Sequence, residues 1–453
     1  MAKVAIVGAG SVIFSMRLVR DFCVTPGLAG TTLALMDISE ERLQRIYDLA
    51  SRYVAETGAR LRLEKTTHRR EALEGSDFVI NTVKVGGYAG MEAERAIAER
   101  HGYYRGIDDR VSDYYGGFAA YHQLAFFLEV AREMEAVCPD AWYLQVANPV
   151  FEGSTLVGRE SKLKVVGFCH GFNEYEEIVR ALELDPAGVE VQVAGFNHAI
   201  FLTRFRYRGE DAYPLLDEWI RSKAEAYWES PAYLYEPWAT QMSPAAVEMY
   251  RLYGLFPIGD TVRSVSPWWW HRDLQTKRRW FPAGGPDSEV GWTFHLNRLQ
   301  RGLETIRAAA ANPEVSLTRE FPPAPSGEAI VPFIDAVVND RPARLVINIP
   351  NQGAIAGIPD DVFVEVPATV RGLRIEREPI DRLPRRLLLH VLLPRWLRME
   401  RVVQAFREGD RTSLFLALMD DPRSSTPQQA EGLIEEILAA PWNARLREHY
   451  RAG

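Results

Sequence analysis

The run Val4-Ala5-Ile6-Val7 breaks into Gly8-Ala9-Gly10-Ser11, and this junction constrains the fold more than any other stretch. Four apolar residues without polar alternation read as a strand buried on both faces, the habit of a parallel sheet covered by helices. Two glycines then let the backbone come close to a ligand. Val12–Cys23 has helical character, so a helix N-terminus points back at the turn. Strand, glycine turn and helix in that order make a cradle for the phosphates of a dinucleotide. The fingerprint lacks its third glycine, with Ile13 in that place. Asp37 ends the next strand-like run, Thr31–Asp37. A carboxylate there accepts from the adenosine ribose hydroxyls and repels a 2′-phosphate, so NAD is expected over NADP. The expected cofactor-binding residues are Gly8, Gly10, Ser11, Asp37 and Asn81.

The strand–helix rhythm continues for about 200 residues. Ser39–Gly58 reads as a helix, with Ser39 as its cap and Glu40 and Glu41 opposing the dipole in the first turn. Leu61–Thr67, Phe78–Val83, Ala141–Asn148 and Lys164–Cys169 are further short apolar runs. The pattern predicts an α/β fold, a doubly wound parallel sheet whose loops at the carboxyl ends of the strands converge on one crevice. Those loops hold Gly8–Ser11, Asp37, Asn81–Gly87, Asn148-Pro149 and Cys169-His170. After His198 the pattern changes. Phe201–Arg208 alternates like an antiparallel strand, long helical segments follow, and Leu345–Ile349 and Val362–Val366 read as strands. A dinucleotide domain over 1–197 and a mixed α+β domain over 198–453 are therefore expected, the second for substrate, metal and subunit contacts.

With 453 residues and 47% hydrophobic content, the chain can bury a large core. Its net charge of −8 gives no basic face for nucleic acid. No run is long and apolar enough for a transmembrane helix. The three cysteines, Cys23, Cys138 and Cys169, make no disulfide framework. With no leader-like segment at the N-terminus, a cytoplasmic protein is expected.

Cys169 in Gly167-Phe168-Cys169-His170 and His198 in Gly195-Phe196-Asn197-His198 each follow a strand-like run, beside residues that let a side chain face a crevice. Alone, a buried Cys is more often a small core residue and a single His a structural one. Together, thiolate and imidazole suit a borderline divalent cation, and two protein ligands leave positions open for substrate hydroxyls.

These pieces lie in the order of a known family. Gly8-Ala9-Gly10-Ser11 with Phe14, Asn148-Pro149, Cys169-His170-Gly171-Phe172, Gly195-Phe196-Asn197-His198, Ile258-Gly259-Asp260, Asn348-Ile349-Pro350-Asn351-Gln352-Gly353 and Val364-Glu365-Val366-Pro367 span nearly the whole chain. The sequence resembles glycoside hydrolase family 4, the NAD- and divalent-metal-dependent glycosidases. The quartet Cys169-His170-Gly171-Phe172 looks like the α-glucuronidase branch, as do Gly102–Asp108 and Val111–Tyr115. The resemblance implies a malate/lactate dehydrogenase-like Rossmann domain and hydrolysis outside the two-carboxylate displacement scheme. In that scheme NAD⁺ takes hydride from C3 of the sugar, the C2 proton becomes acidic, a base removes it, and the leaving group departs by elimination. Water adds at C1 and the hydride returns. The metal, Mn²⁺ or another divalent ion, would be held by Cys169 and His198.

By the same resemblance Asp260 is the C2 base, and Asp113, with His170 as an alternative, protonates the leaving group. Asn148 and Asn197 would contact sugar hydroxyls or orient metal ligands. A uronic acid carboxylate calls for Arg. Arg263, three residues beyond Asp260, is a candidate for that contact, Arg105 and Arg272 also lie in candidate loops, and Trp268-Trp269-Trp270 offers a sugar platform. The expected activity is hydrolysis of α-glucuronides by a homodimer or homotetramer acting on a small carbohydrate. α-Galacturonide, α-glucoside and α-galactoside are the neighbouring choices. A plain NAD-dependent hydroxy-acid dehydrogenase, with a His–Asp pair and no metal-binding Cys, and a non-enzymatic NAD-binding protein are the competing classes.

Overall fold

A computed structural model describes residues 1–10, 12–104, 120–286, 288–381 and 383–451. Among these, thirteen strands form one sheet. Its first half is parallel: β1 (Lys3–Val7), β2 (Thr32–Met36), β3 (Arg62–Thr66), β4 (Phe78–Asn81), β5 (Trp142–Gln145) and β6 (Lys164–Gly167) lie in the order β3-β2-β1-β4-β5-β6. The order reverses between β1 and β4, where a doubly wound sheet opens its crevice. Val4, Ala5, Ile6 and Val7 are all buried, as an uninterrupted apolar run requires. The helix Glu40–Thr57 begins where Ser39 accepts from the Arg42 amide and ends at Gly58 in the left-handed conformation.

The sheet does not stop at β6. β7 (Val189–Phe196), β8 (Ala199–Tyr207), β9 (Glu210–Asp211), β10 (Pro257–Ile258), β11 (Ala343–Pro350), β12 (Phe363–Arg371) and β13 (Arg374–Arg377) extend it in antiparallel fashion. Single residue pairs join the blocks: Asn348 of β11 opposite Gly167 of β6, and Glu365 of β12 opposite Gly195 of β7. Asn348 and Glu365 also face each other. Gly167, Asn348, Glu365 and Gly195 therefore form one row across four adjacent strands. β7 and β8 form a hairpin closed by the pair Phe196–Ala199, with Asn197 and His198 at its tip.

The helical tail folds back on the first half. Ala430, Leu433, Ile434 and Ile437 share a buried cluster with Ile97, Ala98 and Tyr103. Arg395 meets Glu152 at 2.6 Å with both side chains buried. Among the described residues no helix is long and apolar enough to cross a membrane.

Candidate active site

The carboxyl ends of the parallel strands open into a cavity of about 1560 Å³. Gly8, Asp37, Val83, Asn148 and Cys169 reach it from five different strand ends, while His198, Asp260 and Arg263 reach it from the antiparallel half.

At one end, the amides of Gly8 and Ala9 both donate to the Met36 carbonyl, at 2.9 and 2.8 Å. The Gly10 amide donates to Asp37 Oδ2 at 2.9 Å. A methyl group on Gly10 would lie 2.5 Å from that oxygen, so only glycine allows the turn to fold onto the carboxylate. Asp37 Oδ1 accepts from the Ser39 amide at 2.9 Å and lies 3.5 Å from Arg42. Asp37 thus shapes the turn as well as lining the cavity. A close-packed glycine turn, a carboxylate one strand away and the start of the helix Val12–Cys23 fit a dinucleotide.

Asn81 does not take the place expected of it. Its side chain is fully buried, donates to Tyr143 Oη at 2.8 Å and to Gln145 Oε1 at 3.3 Å, and accepts from the Val83 amide. Asn81 is the last residue of β4 and points into the sheet's packing, so it braces the loop that follows. Ser11, Arg105 and Asp113 lie outside the described residues.

The other end gathers the reactive side chains. His198 stands at the hairpin tip with φ of 60°, a backbone conformation sparsely populated by residues other than glycine. Its Nε2 lies 3.2 Å from Asp260 Oδ2, and Asp260 Oδ1 accepts from Arg263 Nε at 2.8 Å. Thr261 fixes this loop by bonding both the amide and the carbonyl of Ile200, two residues beyond His198. Gly259, with φ of 61°, sits so close to the 169–171 loop that a methyl group there would lie 2.4 Å from the Gly171 carbonyl oxygen. A β-carbon on Gly171 would in turn be 3.5 Å from Cys169 Sγ and 3.9 Å from the Asp260 amide. Thiol, imidazole and carboxylate are thereby brought to one wall of the cavity. Among the described residues no group of three or more His, Cys, Asp or Glu is placed to hold a metal. A thiolate–imidazole pair with open positions still suits a borderline divalent cation that also takes ligands from a substrate.

His170 lines the cavity and faces Glu328 Oε1 at 3.3 Å. That carboxylate pushes the imidazole up to about 9, against the opposing effect of burial. His170 is therefore cationic at neutral pH and able to donate a proton. Asn148 lines the cavity as expected. Asn197 does not: it is buried and donates to Glu365 Oε2 at 3.0 Å, so it braces the hairpin tip in place of touching a sugar. Arg272 and the three consecutive tryptophans lie away from the cavity lining. Trp270 is buried and stacked on Trp280 at 4.2 Å, and Trp268 and Trp269 face outward.

Three features have no role assigned to them from the sequence. Glu365 is a fully buried carboxylate beneath the hairpin tip, held by Asn197 and by Asn348 Nδ2 at 3.2 Å. Burial pushes its carboxyl up, while the two amides and the nearby His198 oppose the shift. The signal was available: a lone acid between valines in a strand-like run. Trp238 and Trp292 line the cavity where the Trp268–Trp270 run was expected to serve. Glu174 also lines it, and burial, with the charges of Asp260 and Glu177, pushes its carboxyl up to about 7. Such a group is about half protonated at neutral pH and can give a proton or take one.

A stability prediction follows from Glu174. A carboxyl whose pKa is raised on folding holds its proton more tightly in the folded state. Stability is therefore fullest below the ordinary glutamate value of 4.5 and is lost as pH rises through about 7. Glu174→Gln, which does not titrate, is expected to gain in Tm over the wild type on going from about pH 4.5 to about pH 8. Calorimetry at both pH values checks this, and a Tm difference independent of pH is the contrary result.

Over residues 3–184 the chain matches Family 4 glycosyl hydrolase, and over residues 193–424 it matches the Family 4 glycosyl hydrolase C-terminal domain. The chain belongs to glycosyl hydrolase family 4. An α-galacturonidase of Thermoanaerobacter italicus is 23% identical to this family 4 chain, across 96% of it and 95% of the relative. An α-galactosidase of Bacillus subtilis is 32% identical, over 49% of this chain and 52% of that one. A 6-phospho-α-glucosidase from gut microorganisms, solved in complex with NAD and Mn²⁺, has a similar fold: TM-score 0.78 and 19% identity over 96% of this chain and 97% of that one. The malate dehydrogenase of Plasmodium falciparum shares the architecture more distantly, with a TM-score of 0.52 and 13% identity over 90% of this chain and 99% of that one. The dehydrogenase-like sheet expected from the sequence is thus the family 4 core.

Proposed function

We propose that this family 4 glycosyl hydrolase cleaves α-glycosides of a hexuronic acid, α-glucuronides first, with NAD and a divalent cation such as Mn²⁺ as cofactors. The observation that carries this reading is the meeting of Asp260, His198 and Cys169 on the wall of the cavity that also receives the Gly8–Gly10 turn. Residues 1–197 would supply the dinucleotide cradle and Cys169, and residues 198–453 the rest of the reaction centre.

Gly8, Gly10 and Asp37 would hold NAD, and Cys169 with His198 the cation. When bound, the two supply hydride exchange at C3 and Lewis-acid stabilisation of charge on the neighbouring sugar oxygens. Asp260 takes the C2 proton on Oδ2. Arg263 orients that carboxylate through its 2.8 Å bond to Oδ1. Asp260 thereby faces a fixed direction before substrate arrives, a saving in orientation that bound geometry converts into rate. His170, protonated at neutral pH, or Glu174, about half protonated there, gives a proton to the departing oxygen.

α-Galacturonide is the second reading, favoured by the name of the full-length Thermoanaerobacter italicus relative. It differs from the first only in the configuration at C4. The His198–Asp260 pair also resembles the proton-transfer pair of a hydroxy-acid dehydrogenase. Family membership and the thiol of Cys169 favour hydrolysis. The deciding experiment supplies a p-nitrophenyl α-glucuronide with NAD⁺, Mn²⁺ and a thiol reductant. Release of p-nitrophenol that stops when either cofactor is withheld is the expected result. Stoichiometric NADH formation on a 2-hydroxy acid, without glycoside cleavage, would overturn it.

A further inference from the structure

We propose that Arg298, beside the ring of Trp238, is the residue that reads the substrate's C6 carboxylate and so sets the preference for uronides over neutral hexosides. The proposal rests on the uronide reading given above.

The sequence candidate Arg263 is already engaged. Its Nε sits 2.8 Å from Asp260 Oδ1 and its side chain is only 13% exposed. A substrate carboxylate bound there would compete with the base for its own partner. Ring geometry argues the same way. In a pyranose, C5, which bears C6, lies across the ring from C2. If Asp260 addresses C2, the carboxylate points away from Asp260 and its immediate neighbour.

The other cations around the cavity are placed for other tasks. His170 faces Glu328 at 3.3 Å, and Lys84 lies 4.8 Å from the Tyr88 ring centre, against Met91. Arg42 and Arg69 flank the dinucleotide end, beside Asp37 and Glu133 respectively. Arg180 and Lys223 stand beside Glu177 and Glu183, and Lys223 is paired with Glu183 at 3.2 Å. Arg95 is buried under Trp292, its guanidinium 4.8 Å from the ring centre.

Arg298 differs on each count. It lines the cavity, is exposed, and has no ion-pair partner among the described residues. Its guanidinium lies 5.6 Å from the Trp238 ring centre, and that of Arg263 lies 5.5 Å from the same ring. One indole thus separates the arginine of the base from the free one. Trp238 is itself fixed, since Nε1 donates to the Gly291 carbonyl at 3.1 Å and its ring lies 5.2 Å from His295. Trp292, His295 and Arg298 recur every three residues along the helix Glu289–Ala311, so they face the cavity together. A cation–π contact with an aromatic ring steadies a guanidinium and leaves N–H groups open for two parallel bonds to a carboxylate.

The test compares wild type, Arg298→Gln and Arg298→Lys, each loaded with NAD⁺ and Mn²⁺, on a p-nitrophenyl α-uronide and the matching neutral α-hexoside. In Arg298→Gln the ratio of kcat/KM for uronide over hexoside is expected to fall about 10- to 100-fold, mainly through KM, as loss of a charge-assisted pair predicts. Arg298→Lys should regain only part of it, because an ammonium cannot pair in two-pronged fashion. Calorimetric titration with free glucuronate should show the same loss of affinity without turnover. An unchanged ratio in Arg298→Gln, with a wild type that cleaves the uronide, overturns the role of Arg298 and leaves the uronide reading intact. A wild type that cleaves only the neutral hexoside overturns both.

Discussion

Asp260→Asn is expected to lower kcat on an aryl α-uronide by about 10²- to 10⁴-fold, the usual span for removal of a positioned general base. The substitution keeps the shape of the side chain. The amide oxygen can still accept from Arg263, and the loop stays tied to β8 through Thr261. What disappears is the oxygen able to carry a proton away from C2. Exchange of a C2 deuterium into solvent should therefore fall in parallel with turnover, while hydride transfer to NAD⁺ at C3 survives as a slow accumulation of NADH. That split is the informative part. If Asp260 served only to hold His198, with which it makes a 3.2 Å contact, NADH formation and exchange would decline together with affinity for the cation. Wild-type exchange in Asp260→Asn would remove the base from this position altogether.

The parallel half of the molecule was legible because each of its signals is local. Ser39 and Gly58 bracket their helix through caps that span three or four residues. β4 and β5 are buried along their whole length and β1 from Val4 onward, within runs that read as apolar. Parallel strands put their carboxyl ends on one side, so the convergence of Gly8, Asp37, Asn148 and Cys169 follows from topology alone. β7 was not read, because its outer half is only partly buried and its polar residues break the apolar run.

Site residues were harder for the same physical reason. Whether Asn81 faces the cavity or the packing beneath it turns on one residue of strand register, which periodicity does not resolve. Trp238 and Trp268 belong to the same residue type in similarly apolar surroundings. Only contacts with Arg263, Arg298 and Gly291 distinguish the cavity ring from the outward one. The family resemblance drew Glu365 into a motif, but its partner Asn197 lies 168 residues away in sequence.

Glu365→Gln carries the second large expected effect, a loss of Mn²⁺ affinity of about 10- to 100-fold, the range found when an outer partner of a metal ligand is removed. Glu365 Oε2 gathers the amides of Asn197 and Asn348 in the middle of the four-strand row, and Asn197 is the residue immediately before His198. The carboxylate thus fixes a hairpin tip held in a left-handed conformation and places a negative charge behind the imidazole. Gln keeps an oxygen for the two amides but removes the charge, so His198 loses electrostatic support more than position. Stability moves the other way. Burial raises the Glu365 pKa, so its ionised form opposes folding above its ordinary range, and the neutral amide is expected to hold or raise Tm at about pH 8. NAD affinity, which we assign to Gly8, Gly10 and Asp37, should not change. Titration of Mn²⁺ followed by its electron paramagnetic resonance, with Tm measured on the same samples, separates the two possible roles. A lower Tm with unchanged Mn²⁺ affinity would make Glu365 a packing residue of the sheet; weaker Mn²⁺ binding in an equally stable protein would make it the electrostatic support of His198.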